Sequence, residues 1–201
     1  NPYVVTLGEP FAVTNNGNNL TVPADGKYIV SYNSADETIT VSKALPDNVW
    51  GLIGVDGDWD NDIFMTEVLP GIWVSPATEL ATEFKIRYNH DWAVNRGLDQ
   101  QLAMGESQPA LPDGKNITVA ESGTYVVVYD SINEIIYLQG WSLIGTIGGT
   151  NWDTDFPMMP VKDEESGQVM WLSYSIDGAE TQEFKIRYNC NWDINRGGAF
   201  S

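Results

Sequence analysis

Apolar and polar positions alternate, or run apolar for five or six residues, in YIVSY (28–32), TITVS (38–42), TYVVVY (124–129) and EIIYL (134–138), each flanked by Gly, Asn, Asp or Pro clusters. That is the signature of short β-strands. In EFKIRY (83–88) the alternation is strict. Glu83, Lys85 and Arg87 share one face of the strand, while Phe84, Ile86 and Tyr88 share the other, which faces a core. No stretch sustains a helical i, i+3, i+4 apolar period for long. Short strands at this spacing predict an all-β chain of tandem immunoglobulin-like (E-set-like) antiparallel β-sandwich modules.

The pattern is written twice. EFKIRYNHDWAVNRG (83–97) returns as EFKIRYNCNWDINRG (183–197), and all eight tryptophans pair: Trp50 with Trp141, Trp59 with Trp152, Trp73 with Trp171, Trp92 with Trp192. A second block repeats without a gap at an offset of 97, residues 7–42 against 104–139. The order along the chain is therefore a back half (1–43), a complete module (50–139) and a front half (141–201) of a unit about 95 residues long. Half a sandwich exposes its inner apolar face and unpaired sheet edges. Residues 1–43 are thus expected to complete 141–201, within the chain or by exchange between two chains in a domain-swapped dimer. The rival expectation is a fragment of a longer tandem array.

Charge narrows the partners. Twenty-eight acidic against ten basic residues give a net charge of -18, which repels nucleic acid and anionic lipid surfaces. No apolar run reaches the roughly 18 residues of a membrane-spanning helix, and NPYVVTLGEPF lacks the basic and apolar regions of a signal peptide, so the start reads as mature or trimmed. Cys190 is the single cysteine and stands where the first copy has His90, so both side chains read as incidental to the repeat. One His and one Cys argue against zinc, and no cofactor is expected.

Six of the ten basic residues, Lys85, Arg87, Arg96, Lys185, Arg187 and Arg196, sit in the two copies of the fifteen-residue motif. One reading pairs Glu83 with Lys85 or Arg87 on a solvated face; the other makes the cations donors for a polar ligand. Trp92 and Trp192 follow in loop-like stretches rich in Asn, Asp and Gly, as do Trp59 in VDGDWDND and Trp152 in GGTNWDTD. Each is either a plug for the sandwich end or an exposed platform, whose apolar area a flat ring ligand would cover. Trp73 and Trp171 lie in apolar runs and are assigned to the core, and Trp50 and Trp141 are read as structural.

Three other functions compete. Glycoside hydrolysis needs two closely placed carboxyls, one with a raised pKa; Asp60 and Asp62 lie in an open polar loop and Glu83 beside two cations, so no catalysis is expected. Calcium binding is suggested by Asp56, Asp58, Asp60 and Asp62 with Glu67 twelfth, yet Asn61 replaces the usual Gly and the second copy lacks the first two acids. A structural or adhesive tandem, with buried tryptophans and no glycan site, is the alternative to binding.

WGLIG and WSLIG, a Trp in a Gly/Asp loop, EFKIR, N-x-x-W-x-x-N-x-G, and NITV or NLTV followed by GTY or GKY together resemble the tandem modules of the SusE and SusF outer-membrane starch-binding proteins. They are also similar to the glycogen-binding module of the AMP-activated kinase beta subunit. The likeness covers essentially the whole chain. It implies a non-catalytic protein of the bacterial cell surface that binds starch-like α-glucan or a related polysaccharide. It would be held at the outer membrane by a lipid anchor absent from this chain. The implied first site is Trp59, Lys85, Trp92 and Asn116, with Arg87 as a substitute or additional donor. The implied second site is Trp152, Lys185, Arg187 and Trp192, joined by Asn19 if the N-terminal half completes that module.

Overall fold

A computed structural model describes residues 2–198. The chain is built of antiparallel sheets with one short parallel pair, and folds as two compact units, Asn1–Asp47 and Asn48–Ser201. Among the described residues no helix is long and apolar enough to cross a membrane.

In the first unit, β1 (Tyr3–Val4) lies parallel to β3 (Leu20–Thr21), while β2 (Pro10–Ala12), β4 (Tyr28–Asn33) and β5 (Thr38–Lys43) form an antiparallel sheet in the order β2-β5-β4. Ile29, Val30 and Tyr32 on β4, and Leu20 on β3, are exposed. These strands therefore leave apolar side chains uncovered on both faces of β4, Ile29 on one and Val30 and Tyr32 on the other.

The second unit begins with the stretch expected to be a complete module. It comprises β6 (Trp50–Ile53), β7 (Ile63–Phe64), β8 (Thr66–Leu69), β9 (Ile72–Val74), β10 (Thr78–Leu80), β11 (Lys85–Tyr88), β12 (Asp91–Gly97), β13 (Ser107–Pro109), β14 (Leu111–Pro112), β15 (Gly123–Tyr125), β16 (Val127–Asp130) and β17 (Ile135–Leu138). Two five-stranded sheets, β14-β12-β11-β6-β7 and β13-β17-β16-β9-β8, face each other across one core, and β10 pairs with β15 beside them. Leu52, Phe84, Ile86 and Ile117, the last paired to Phe84, from one side meet Val127 and Ile136 from the other, all fully buried. Each such side chain contributes about 1.5–3 kcal/mol by leaving water. Trp50 is buried edge-on to Tyr129, with ring centroids 4.6 Å apart, and Trp73 packs half-buried against the same core, as the sequence predicts for both.

One polar clamp joins the two sheets. Arg96 on β12 donates to both carboxylate oxygens of Glu134 at 2.7 and 2.8 Å, and the Tyr129 hydroxyl donates to the same carboxylate at 2.6 Å. The bonds from Arg96, helped by that from Tyr129, outweigh burial, which pushes the other way, and hold the Glu134 carboxyl below its usual range. A carboxyl whose folded pKa is depressed stabilises the fold above its unfolded value of about 4.3, and that contribution is lost as pH falls further. The urea midpoint of the chain is expected to drop less steeply between pH 5 and about pH 3 in Glu134→Gln than in the wild type; equal slopes would show the clamp to be pH-neutral.

The stretch expected to be a front half follows as β18 (Trp141–Gly145), β19 (Phe156–Lys162), β20 (Val169–Ser173), β21 (Phe184–Tyr188) and β22 (Asn191–Arg196), one sheet in the order β20-β19-β18-β21-β22. It packs beside the complete module: Met159 and Tyr174 cover Ile72, Val128 and Tyr137, and Lys162 bonds Glu106 at 2.6 Å. Trp171 lies against Gly140 so closely that a Cβ there would come within 2.2 Å of its ring. Trp171 and Trp141 are half-buried, less enclosed than the expected core and structural positions; β20, which carries Trp171, is the edge of its sheet.

Candidate functional site

The site grows from the hairpin of the repeated motif. Asn89 and His90 take positive φ angles of 55° and 62°, as do Asn189 and Cys190 at 48° and 54°, the two-residue turn whose twist matches antiparallel strands. After the Tyr88–Asp91 pair the register jumps to Arg87–Asn95, so Trp92, Ala93 and Val94 form a bulge. The second copy jumps identically, from Tyr188–Asn191 to Arg187–Asn195. Trp92 and Trp192 therefore lie on strands β12 and β22, a correction to the loop expected from their polar neighbours. The alternation was hidden because a bulge inserts unpaired residues into the period of two.

The bulge is pinned by its own side chains. Ala93 N donates to Asp91 Oδ1 at 2.9 Å, and Asn95 Nδ2 donates to the Trp92 carbonyl at 2.8 Å. Asp193 and Asn195 repeat both bonds at 2.9 and 2.7 Å. Pinning turns the indoles outward: Trp92 is 44% exposed and Trp192 45%.

Behind each exposed indole stands an arginine. The Arg87 guanidinium lies 4.9 Å from the Trp92 ring centroid, and that of Arg187 lies 4.8 Å from Trp192. Arg87, only 6% exposed, donates through Nε and Nη2 to Asp62, each bond 2.8 Å, and His90 Nδ1 lies 2.8 Å from the same carboxylate. Burial pushes the Asp62 pKa up, but the bonds and charges of Arg87 and His90 outweigh it and hold the carboxyl below its usual range. Arg187 pairs with Asp155 in the same way. The partner of Arg87 is thus Asp62, not Glu83. Arg87 and Arg187 back the indoles instead of standing open as donors, because an aspartate three residues beyond each loop tryptophan folds onto them. His90 is also part of this cluster and not incidental, while Cys190 accepts a bond from Gln139 Nε2 at 3.0 Å, and burial raises its thiol pKa to about 11.

Lys85 is the cation that remains at the surface. Its Nζ donates to Asn95 Oδ1 at 2.9 Å, and Lys185 reaches Asn195 at 3.3 Å. Asn95 is the hub, since its Nδ2 also reaches Asp113 at 2.7 Å. The antiparallel bridge between Phe84 and Ile117 carries the register one step on, setting exposed Asn116 across from Lys85. Exposed Asn19 belongs to the first unit.

The loop tryptophans come to meet the strand tryptophans. Gly54, at φ 93°, lets the Trp59 indole lie on its backbone, where a Cβ would clash at 2.6 Å. Asp58 Oδ1 accepts from the backbones of Asp60 and Asn61 at 3.0 and 3.1 Å and shapes the loop. The centroids of Trp59 and Trp92 are 6.1 Å apart with ring planes inclined by 33°; those of Trp152 and Trp192 are 6.0 Å apart at 38°. This spacing is that of touching aromatic rings, so each pair is one angled shelf with no gap between its rings for a ligand. Among the described residues no three Asp, Glu, His or Cys side chains converge as metal ligands.

Asn95 with Asn195, and Asp62 with Asp155, were missed as site-building residues. The signal was available: all four are retained between the two copies.

No protein-family model matches the chain, and no curated protein matches it. Among solved structures, SusF from Bacteroides thetaiotaomicron is similar over 87% of this chain and 46% of its own, at 13% identity and a TM-score of 0.38. The chain spans less than half the length of that structure.

Proposed function

We propose that this chain binds a neutral polysaccharide, a starch-like α-glucan in preference, without catalysis, and that it does so at the bacterial cell surface. The observation that carries the reading is the doubled shelf: two unconnected stretches of chain build the same tilted indole pair, with the same arginine behind and the same lysine beside it. A packing plug would be buried; these rings keep an open face.

Pyranose rings present a C–H face that stacks on indole and an edge of hydroxyls that takes charged donors, the stronger kind of hydrogen bond. Trp59 and Trp92 supply the first shelf, Lys85 and Asn116 its donors, and Arg87 the backing. Trp152 and Trp192, with Lys185 and with Arg187 behind, supply the second. The inclination of each pair suits a curved glucan, whose successive sugar faces turn relative to one another. After the association penalty, two covered rings and a few donors leave a Kd of roughly millimolar to tens of micromolar per site. Two sites on one polymer add avidity.

Native electrophoresis in gels containing soluble starch, glycogen, β-glucan, xylan or mannan tests the reading. Retardation by the α-glucans is expected. Free migration in every gel would favour the structural, adhesive alternative.

A further inference from the structure

Residues 113–116 are held at the edge of the first shelf by their backbone. Asp113 takes a positive φ of 54°, and Gly114 N donates to the Leu111 carbonyl at 3.0 Å, which closes a tight turn. The next peptide crosses Gly97 so closely that a Cβ there would meet the Lys115 carbonyl at 2.0 Å. Beyond it, Phe84 and Ile117 exchange two backbone bonds, at 2.9 and 2.7 Å. Glycine at position 97 therefore lets the turn lie on β12, and the Phe84 bridge ties its far end to β11, the strand of Lys85.

Asn95 joins that turn to the shelf. It is 5% exposed, and both polar atoms of its side chain are engaged: Oδ1 accepts from Lys85 Nζ at 2.9 Å, while Nδ2 donates to the Trp92 carbonyl at 2.8 Å and to Asp113 Oδ1 at 2.7 Å. A lysine only donates, and a carbonyl or carboxylate only accepts, so the three partners leave the amide one orientation. A cation and an exposed carboxylate are thereby set side by side, spaced by one amide group. Even a surface Lys–Asp pair in direct contact gains at most about 1 kcal/mol, and these two are held apart. Both nevertheless lose rotamer freedom. Such ordering favours a ligand that meets both groups, because the freedom is already lost before it arrives.

We propose that Asp113 is a further ligand of the first shelf and that, with Lys85, it grips two adjacent hydroxyls of one pyranose: Lys85 donates to one oxygen, and Asp113 accepts the proton of its neighbour. The Asn95 amide, an acceptor oxygen beside a donor nitrogen, already spans the two charges. A vicinal diol offers the same pattern with a similar bite, one hydroxyl accepting and the next donating. Lys85 has two further N–H donors for it and Asp113 a second oxygen, and both bonds are of the stronger, charge-assisted kind. This role rests on glycan binding at the shelf and narrows the ligand to a sugar with a free adjacent pair at its edge. In a glucan linked through the fourth carbon, that pair within the chain is the second and third hydroxyls.

The test titrates the whole chain with maltotriose, and in parallel with cellotriose, xylotriose and mannotriose, following the indole N–H resonances of Trp59 and Trp92, which report the first shelf alone. Asp113→Asn keeps an acceptor for Asn95 Nδ2, and so the turn, but removes the charge; it should raise the Kd of the best trisaccharide about tenfold. Analogues of that trisaccharide lacking one hydroxyl at a time then locate the contact. The wild type should bind two of them about tenfold more weakly, those missing either member of one adjacent pair. Asp113→Asn should lose its sensitivity to one member, and Lys85→Met its sensitivity to the other. An unchanged Kd in Asp113→Asn, or sensitivities that fall on hydroxyls not adjacent, would overturn the role of Asp113 and leave glycan binding standing. A wild type whose indoles respond to none of the four sugars would overturn both.

Discussion

Asp62→Ala should cost the second unit about 3–5 kcal/mol of stability, the usual consequence of stripping one partner from a buried ion pair. The Asp62 side chain is 2% and that of Arg87 7% accessible, and the two guanidinium bonds to the carboxylate are each 2.8 Å. Removing the carboxylate leaves a buried cation without its hydrogen-bonded partner, held only by the more distant charges of Asp60 and Asp91, behind Trp92. Against a typical domain stability of about 5–15 kcal/mol this is a large fraction. Urea unfolding followed by tryptophan fluorescence reads it directly. Asp62→Asn, which keeps one acceptor, should lose less. A midpoint for Asp62→Ala that shifts by under about 1 kcal/mol would show that the pair is solvated and that Arg87 is not held by it.

Trp92→Ala should do the opposite, sparing the fold and removing binding. Its side chain is almost half exposed, and the bulge beneath it is held by Asn95 and Asp91, neither of which touches the indole through these bonds. Stability is expected to stay within about 1 kcal/mol of the wild type. Loss of one of the two rings of a shelf should weaken a single-site oligosaccharide by about tenfold to a hundredfold, the range of an aromatic hot spot. The polymer should respond more sharply than the oligosaccharide, because removing one site also removes avidity. Calorimetry with a short oligomer of whichever glycan retards the wild type isolates the first effect, and gel retardation the second. Unchanged affinity in a folded Trp92→Ala would place the glycan elsewhere.

The strands of the repeated motif and the two-faced character of EFKIRY were legible because a period of two is local. The pairing of all eight tryptophans was legible because the chain repeats itself. The bulge was not. NHDWAVNRG has the composition of a loop, and only the jump in pairing between Arg87 and Tyr88 reveals a strand with three residues pushed out. The fate of the cations was equally hidden. Lys85 and Arg87 alternate onto the same face and read alike, yet Arg87 is sealed behind Trp92 and Lys85 stays near the surface on Asn95.

By itself, then, the sequence determined the element type and the repetition of the fifteen-residue motif, since these follow from periodicity and self-similarity along one dimension. Tertiary structure alone decided which carboxylate meets Arg87, how far the indoles stand from water and at what angle they meet. Those depend on strand register and on Asp62 folding across 25 residues to its partner. Neither is encoded at any fixed spacing, because a buried charge takes whichever opposite charge the fold brings within hydrogen-bond reach.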